Sequence, residues 1–392
     1  MKLAKGFLAN GVRCGLKREK RDLALIYSEI PAIATGVFTR NCFKAAPVIV
    51  SSAQIKNGRA QAIIVNSGNA NCCAGPSSLK DAKTMVSGSA KLLGISTKDV
   101  LVASTGVIGR PLPIKRISSR LPGLVSGLNR GGWNKAAEAI MTTDTKIKMA
   151  SKTFKIGSSV VTITGMAKGA GMIHPDMATM LAFIVTDANI DRALFKSIFK
   201  RAVDKSFNAI SVDGDTSTND CALGLANGAA KNKKITYGSR GANKFSLAMD
   251  NIMVALAKEM VKDAEGATKF IEIEIKHARS SAEAKKVANR LSTSLLFKTA
   301  VFGEDPNWGR IVAAIGSSGV KMSPQKVDIT INGLKVVKGG LGIRNNVRLL
   351  REVFSRKELD VTIDLKDGSG SYLMWTSDIS TEYVKFNAEY AT

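Results

Sequence analysis

The segment Lys168-Gly-Ala-Gly-Met-Ile-His-Pro-Asp-Met-Ala-Thr-Met-Leu-Ala-Phe183 sets a threonine at the head of an apolar run, just after a stretch rich in glycine and alanine. The run Met180-Leu-Ala-Phe-Ile-Val185, closed by Thr186-Asp187, predicts a buried strand. If the peptide bond between Ala178 and Thr179 is cut, Thr179 gains a free α-amine beside its own hydroxyl. That pair is a nucleophile and a base in one residue. An α-amine titrates near about 8, close to neutral pH, so it can take the hydroxyl proton without a histidine.

Histidine is scarce: the chain has two. His277 ends the alternating run Ile271-Glu-Ile-Glu-Ile275 and reads as a surface residue at a strand end. His174 lies inside the opening segment. A Ser-His-Asp or Cys-His machine has little to draw on. No His-x-x-x-His or Cys-x-x-Cys pair is present, so no zinc or other metal site is expected. No Gly-x-x-x-x-Gly-Lys-Ser/Thr occurs, which argues against a P-loop enzyme. An N-terminal threonine would supply the base that the histidine count withholds.

The chain has 392 residues, 45% of them hydrophobic, enough for a substantial core in two domains or subdomains. Five cysteines (Cys14, Cys42, Cys72, Cys73, Cys221) are too oddly spaced for a disulfide framework and read as reduced, mostly buried thiols. The first ten residues do not read as a signal peptide, and no apolar run nears the roughly 20 residues that span a bilayer. A cytoplasmic protein without membrane contact is the expectation. The net charge is +25. Residues 1–178 carry 26 basic and 8 acidic residues, and residues 179–392 carry 31 and 24. Such a field attracts anions. The charges are scattered, however, and aromatic residues, 6% of the chain, are not interleaved with them as in a stacking platform. Nucleic acid is therefore not an expected partner; an anionic-polymer binder would rest on charge alone.

Strand-like and helix-like runs alternate. Gln61–Val65 and Val100–Ala103 read as buried strands, the first running into the turn-rich 66–71 and the second ending at Ser104-Thr-Gly106. Asp191 is placed to cap a helix whose buried face is Leu194, Phe195, Ile198, Phe199, Ala202 and Val203. Ser280 with Glu283 forms a capping box before a helix over 281–296. Asn332-Gly333 after Val327–Ile331 signals a hairpin, and Leu359–Leu365 with Tyr372–Trp375 reads as a second one. The Pro- and Gly-rich stretch 109–133 reads as the loosest part. Hairpins mixed with helices point to an α+β fold, or layered αββα packing, rather than a purely parallel sheet.

Several polar clusters punctuate these elements: Ser104-Thr-Gly106, Thr142-Thr-Asp-Thr145, Asp213-Gly-Asp-Thr-Ser-Thr-Asn-Asp220, Asp263-Ala-Glu-Gly-Ala-Thr268, Gly303–Arg310 and Asn387–Thr392. Each alone is a turn or a cap. Together with the Thr179 segment, and with Ala34-Thr-Gly-Val-Phe-Thr39, Lys44-Ala-Ala-Pro47 and Val65-Asn-Ser-Gly-Asn-Ala70, the chain resembles the glutamate N-acetyltransferase (ornithine acetyltransferase) family of arginine biosynthesis. The likeness runs from Gly6 to the last residue. Asp176 stands where that family more often has Asn, and Ala264 where Gly is common.

The resemblance implies a layered αββα-type sandwich with a smaller C-terminal α/β subdomain, roughly 285–375. It implies self-cleavage between Ala178 and Thr179 into an α chain (1–178) and a β chain (179–392), assembled as an α2β2 heterotetramer. Thr179 would take acetyl from N2-acetyl-L-ornithine and pass it to L-glutamate; some members also use acetyl-CoA as donor, and no other cofactor is implied. Thr105 and Gly106 match the oxyanion-hole pair. Thr142, Thr143, Lys168, Thr179, Glu265, Asn387 and Thr392 match substrate-binding positions, with the last two on a C-terminal tail that returns to the site. Physically, an oxyanion needs donors already aimed at it, and an amino-acid substrate needs a cation and an anion to face it. The alternative on the same scaffold is an aminopeptidase or amidase, in which water resolves the acyl-enzyme.

Overall fold

The computed structural model describes residues 1–174, 180–344 and 347–389. Ala178, Thr179 and Thr392, and Asp176 among the departures, lie outside the described residues.

Among the described residues, eight strands form the main sheet. From one edge the order is Val100–Val107, Arg59–Asn69, Leu23–Phe38, Cys221–Ala226, Leu181–Thr186, Ser159–Lys168 and Lys148–Ile156, with Phe7–Val12 also paired to Leu23–Phe38. The long strand Leu23–Phe38 is the hinge of this order. Its first part pairs with Phe7–Val12 and Arg59–Asn69. A register shift falls between Tyr27 and Ala32, and the last part pairs with Cys221–Ala226. An irregularity of this kind bends a strand and lets one sheet turn into two layers.

The side chains show the layering. Alternate residues of a strand point to opposite faces. Ile63, Val65, Leu101 and Ala103 from one half share a buried cluster with Leu181, Phe183, Val185, Leu223 and Leu225 from the other. Their neighbours Ala62, Ile64 and Val102 face outward under the helices Ala46–Gln54, Ser78–Leu93 and Ile114–Ser126. On the far side Ala182, Ile184 and Ala222 face the helices Arg192–Lys205 and Arg240–Lys262. The order is helix, sheet, sheet, helix, the layered sandwich expected from the sequence. Phe183 and Leu223 are fully buried, each contributing roughly 1.5–3 kcal/mol.

A second sheet runs Leu341–Gly342, Leu334–Lys338, Asp328–Ile331, Glu358–Asp364, Phe270–Ala278, Gly370–Ser377 and Ile210–Ser211. The helices Ser281–Ser292 and Trp308–Gly316 share its apolar core. This sheet takes an interior strand from Phe270–Ala278, ahead of residue 285, and includes Gly370–Ser377.

Asp191 caps its helix through the amides of Ala193 and Leu194, and all six residues of the expected apolar face are buried. Asn332 and Gly333 both adopt positive φ between Asp328–Ile331 and Leu334–Lys338, the turn that the Asn-Gly pair favours. Cys14, Cys72 and Cys221 are buried free thiols, while Cys42 and Cys73 are exposed.

Three expectations need correction. The second hairpin does not form: Phe270–Ala278 inserts between Glu358–Asp364 and Gly370–Ser377, parallel to the first and antiparallel to the second. The helix read over 281–296 stops at Ser292, and a separate helix, Leu295–Phe302, starts on its own Ser294 cap. The stretch 109–133 holds the helix Ile114–Ser126, whose Ile117, Leu121 and Leu124 are buried despite Pro122 inside it. No described helix is long and apolar enough to cross a membrane.

Candidate active site

Strand ends from both layers meet at one cavity of about 340 Å³. Thr105, Gly106, Thr142, Thr143, Lys168, Glu265 and Asn387, all matched positions, lie in its walls.

The parallel pairing of Arg59–Asn69 with Val100–Val107 sets Ser67 beside Thr105 and Gly68 beside Gly106. Gly106 has φ +130°, and a Cβ there would come within 2.4 Å of the Gly68 carbonyl carbon. Only glycine fits this position. From the other layer, Lys168 ends its strand opposite Leu181. The head of the Leu181–Thr186 strand therefore opens beside the same cavity.

Lys168 is the electrostatic centre. It is buried, and its Nζ donates to Thr105 Oγ1 at 3.2 Å. Burial pulls its ammonium below the ordinary lysine range, and Lys148 adds repulsion, while Asp144, Asp220 and Glu265 oppose the shift. Burial would raise the Asp144 carboxyl, yet the charges of Lys168 and Lys148 outweigh it. With hydrogen bonds from Lys148 and the Gly169 amide, they hold Asp144 at about 2. Asp144 Oδ1 accepts from Lys148 at 2.6 Å and from the Gly169 amide at 2.8 Å. Its Oδ2 accepts from the Thr142 amide at 3.0 Å. Lys148 reaches on to Asp263 Oδ2, which also accepts from the Thr145 amide. One buried ion cluster thus fixes the Thr142-Thr143 turn and the end of the Lys168 strand together.

Glu265 stands on the loop after the helix Arg240–Lys262, its amide bonded to the Ala170 carbonyl at 2.9 Å. A Cβ on Gly171 would meet the Glu265 carboxylate at 2.3 Å, so the glycine makes room for that side chain. The helix Thr381–Glu389 closes this side. Asn387 Nδ2 donates to Glu265 Oε2 at 3.1 Å, and Tyr383 Oη donates to Asp213 Oδ2 at 3.3 Å. Gly266, at φ +65°, lets the helix approach: a Cβ there would lie 2.5 Å from the Tyr383 amide.

Three contributors escaped the sequence reading as individuals. Asp144, Asp213 and Tyr383 position the walls, but nothing in the linear pattern singles them out. Asp144 and Asp213 did belong to the polar clusters between strands. That composition marked the loops and left open which side chain turns inward.

The ArgJ family model matches residues 8–392. The arginine biosynthesis bifunctional protein ArgJ of Geobacter sulfurreducens is 47% identical over 390 residues, which cover 99% of this chain and 99% of that protein. The protein of the same name from Caldanaerobacter subterraneus is 46% identical, covering 100% of this chain and 98% of its own. Among solved structures, the Bacillus halodurans ArgJ crystal structure aligns at 35% identity with a TM-score of 0.52, covering 53% of this chain and 98% of that one. The chain belongs to the ArgJ family of arginine-biosynthesis enzymes.

Proposed function

We propose that this chain is a glutamate N-acetyltransferase. It cuts itself between Ala178 and Thr179 and moves acetyl from N2-acetyl-L-ornithine to L-glutamate through an acetyl ester on Thr179. The observation that carries this reading is the convergence on one cavity of a hydroxyl and a glycine turn (Thr105, Gly106), a buried amine (Lys168) and a carboxylate (Glu265), beside the strand that follows Thr179. The half-length match to the Bacillus halodurans chain also supports it, since cleavage before Thr179 would give pieces of 178 and 214 residues.

The chemistry proceeds in two halves. Thr179 Oγ attacks the acetyl carbonyl while its α-amine takes the hydroxyl proton. The O–C bond forms, the oxyanion collapses, and the C–N bond to ornithine breaks as the proton passes to the leaving nitrogen. The amine of glutamate then attacks the acetyl ester, its proton returns to Thr179 Oγ, and N-acetylglutamate leaves. Lys168 donates to the lone pair of Thr105 Oγ1. The Thr105 hydroxyl hydrogen is then free for the oxyanion, beside the Gly106 amide. Self-cleavage uses the same nucleophile on the Ala178 carbonyl, an N-to-O acyl shift followed by hydrolysis.

Denaturing intact-mass spectrometry is the first test. Two pieces of 178 and 214 residues, the second gaining one acetyl group on incubation with N2-acetyl-L-ornithine and losing it to glutamate, are the expected result. A single uncut chain that still transfers acetyl would overturn the nucleophile assignment. Loss of the acetyl group to water alone would point to the amidase reading. Acetyl-CoA supplied in place of acetylornithine tests the second donor, and native mass spectrometry tests the α2β2 assembly.

A further inference from the structure

One buried carboxyl beside the cavity has no part in the chemistry above. Asp220 ends the polar loop 213–220 and directly precedes the buried strand Cys221–Ala226. It is 1% exposed. Its Oδ1 accepts from the Met180 amide at 2.8 Å, and the Met180 carbonyl accepts from the Cys221 amide at 3.3 Å. The residue that follows Thr179 is thus tied on both sides to residues 220 and 221. Asp220 Oδ2 is buried and has no hydrogen-bond partner among the described residues. A buried acceptor left unpaired is costly.

Charged and polar groups of the described residues surround Asp220. Lys168 faces it from the Ser159–Lys168 strand, Ser217 from its own loop and the Cys221 thiol from the strand behind it. Asp144, Lys148 and Glu265 stand around Lys168. Burial pushes the Asp220 carboxyl well above its usual range, against the Met180 amide, the Lys168 charge and Ser217. The α-amine that cleavage would release belongs to the residue joined to Met180 by one peptide bond.

We propose that Asp220 is the positioning residue for the new N-terminus: one oxygen holds the Met180 amide, and the other accepts a hydrogen bond from the α-amine that cleavage before Thr179 releases. The assignment rests on the self-cleavage and nucleophile proposed above. Among the described residues Oδ2 has no hydrogen-bond partner, and the released α-amine would supply a donor. With an N–H given to Oδ2, the amine presents its lone pair to its own hydroxyl. During attack the Oγ–H bond breaks, a new N–H bond forms, and the resulting ammonium stays beside the carboxyl until it passes the proton to the leaving nitrogen. No further reactant is needed.

Asp220→Asn separates position from charge, because the amide keeps an oxygen for Met180 and removes the carboxyl. Intact mass is expected to show the two pieces still formed. kcat per cut chain is expected to fall about tenfold or more, within the usual range for impaired general-base catalysis, with KM for both substrates within about twofold. The acidic limb of kcat/KM reports the α-amine, and a carboxylate partner favours the ammonium. In the variant that limb moves to lower pH by roughly one unit. An unchanged kcat and limb, or a lower kcat with the limb unmoved, would overturn the assignment, as would a folded variant that no longer cuts.

If the variant does not fold, the wild-type enzyme decides. Reductive ¹³C-methylation of the 214-residue piece and an NMR titration read the α-amine directly. A pKa above the ordinary value of about 8 is expected, and one at or below it refutes the pairing. An uncut wild-type chain that gains no acetyl group sinks the nucleophile reading itself. A cut, acetylated wild type with an ordinary amine sinks the Asp220 assignment alone.

Discussion

Lys168 Nζ and Thr105 Oγ1 lie 3.2 Å apart, joining the end of a strand in one sheet layer to the end of a strand in the other. Both groups are buried. This contact orients a hydroxyl without consuming its hydrogen. Thr105→Val keeps the shape of the side chain and removes only that hydroxyl. It is expected to lower kcat by roughly 10²–10³, the usual loss for one oxyanion donor. KM for either substrate should hold within a few-fold. Steady-state kinetics with N2-acetyl-L-ornithine and glutamate check it, and a rate within threefold of wild type would remove Thr105 from the oxyanion hole.

Glu265 offers a carboxylate to the cavity, and N2-acetyl-L-ornithine carries one cation, its side-chain ammonium. Glu265→Gln leaves the Asn387 contact an acceptor but removes the charge. A charge-assisted hydrogen bond contributes about 1.5–3 kcal/mol, so kcat/KM for N2-acetyl-L-ornithine should drop roughly 10–150-fold. The glutamate half-reaction, measured from pre-formed acetyl-enzyme, should change far less. Equal losses in both halves would show that Glu265 does not discriminate between the substrates.

Asp144 gives the fold a pH signature. Its carboxyl sits at about 2 in the folded chain, against roughly 3.9 unfolded. A depressed carboxyl contributes stability that is present above pH 4 and is lost as the pH falls through 2. The amount is on the order of 2–3 kcal/mol. Chemical denaturation of the wild type at stepped pH should show that loss between pH 4 and 2. Asp144→Asn should flatten it and, at pH 7, destabilise by roughly 3–5 kcal/mol, because Lys148 and Lys168 lose a buried counter-charge.

Gly106 leaves no room for a side chain. Gly106→Ala places a methyl against the Gly68 backbone and puts alanine at a positive φ. Strain and overpacking together should cost roughly 2–5 kcal/mol. Urea midpoints measure the loss. On the oxyanion role proposed above for the Gly106 amide, intact mass is expected to show slowed cleavage.

Sequence alone determined what depends on neighbours along the chain. Asp191 and Ser280 mark helix starts because a cap needs only the next three amides. Asn332-Gly333 specifies a turn because both residues tolerate positive φ. The all-apolar run before Thr186-Asp187 marks a strand buried on both faces. The ordered motifs pointed to the family, and seven of the matched positions line one cavity. Tertiary structure decided the rest. Glu358–Asp364 and Gly370–Ser377 look like a hairpin locally, but Phe270–Ala278 lies between them and pairs with both. The bend in Leu23–Phe38 splits one sheet into two layers, and Lys168 meets Thr105 where strand ends of the two layers converge. Asp144, Asp213 and Asp220 sit in loops whose composition announces polarity and nothing more. Which of their oxygens turn inward is set by strand pairing between segments far apart in sequence, where local propensity carries no information.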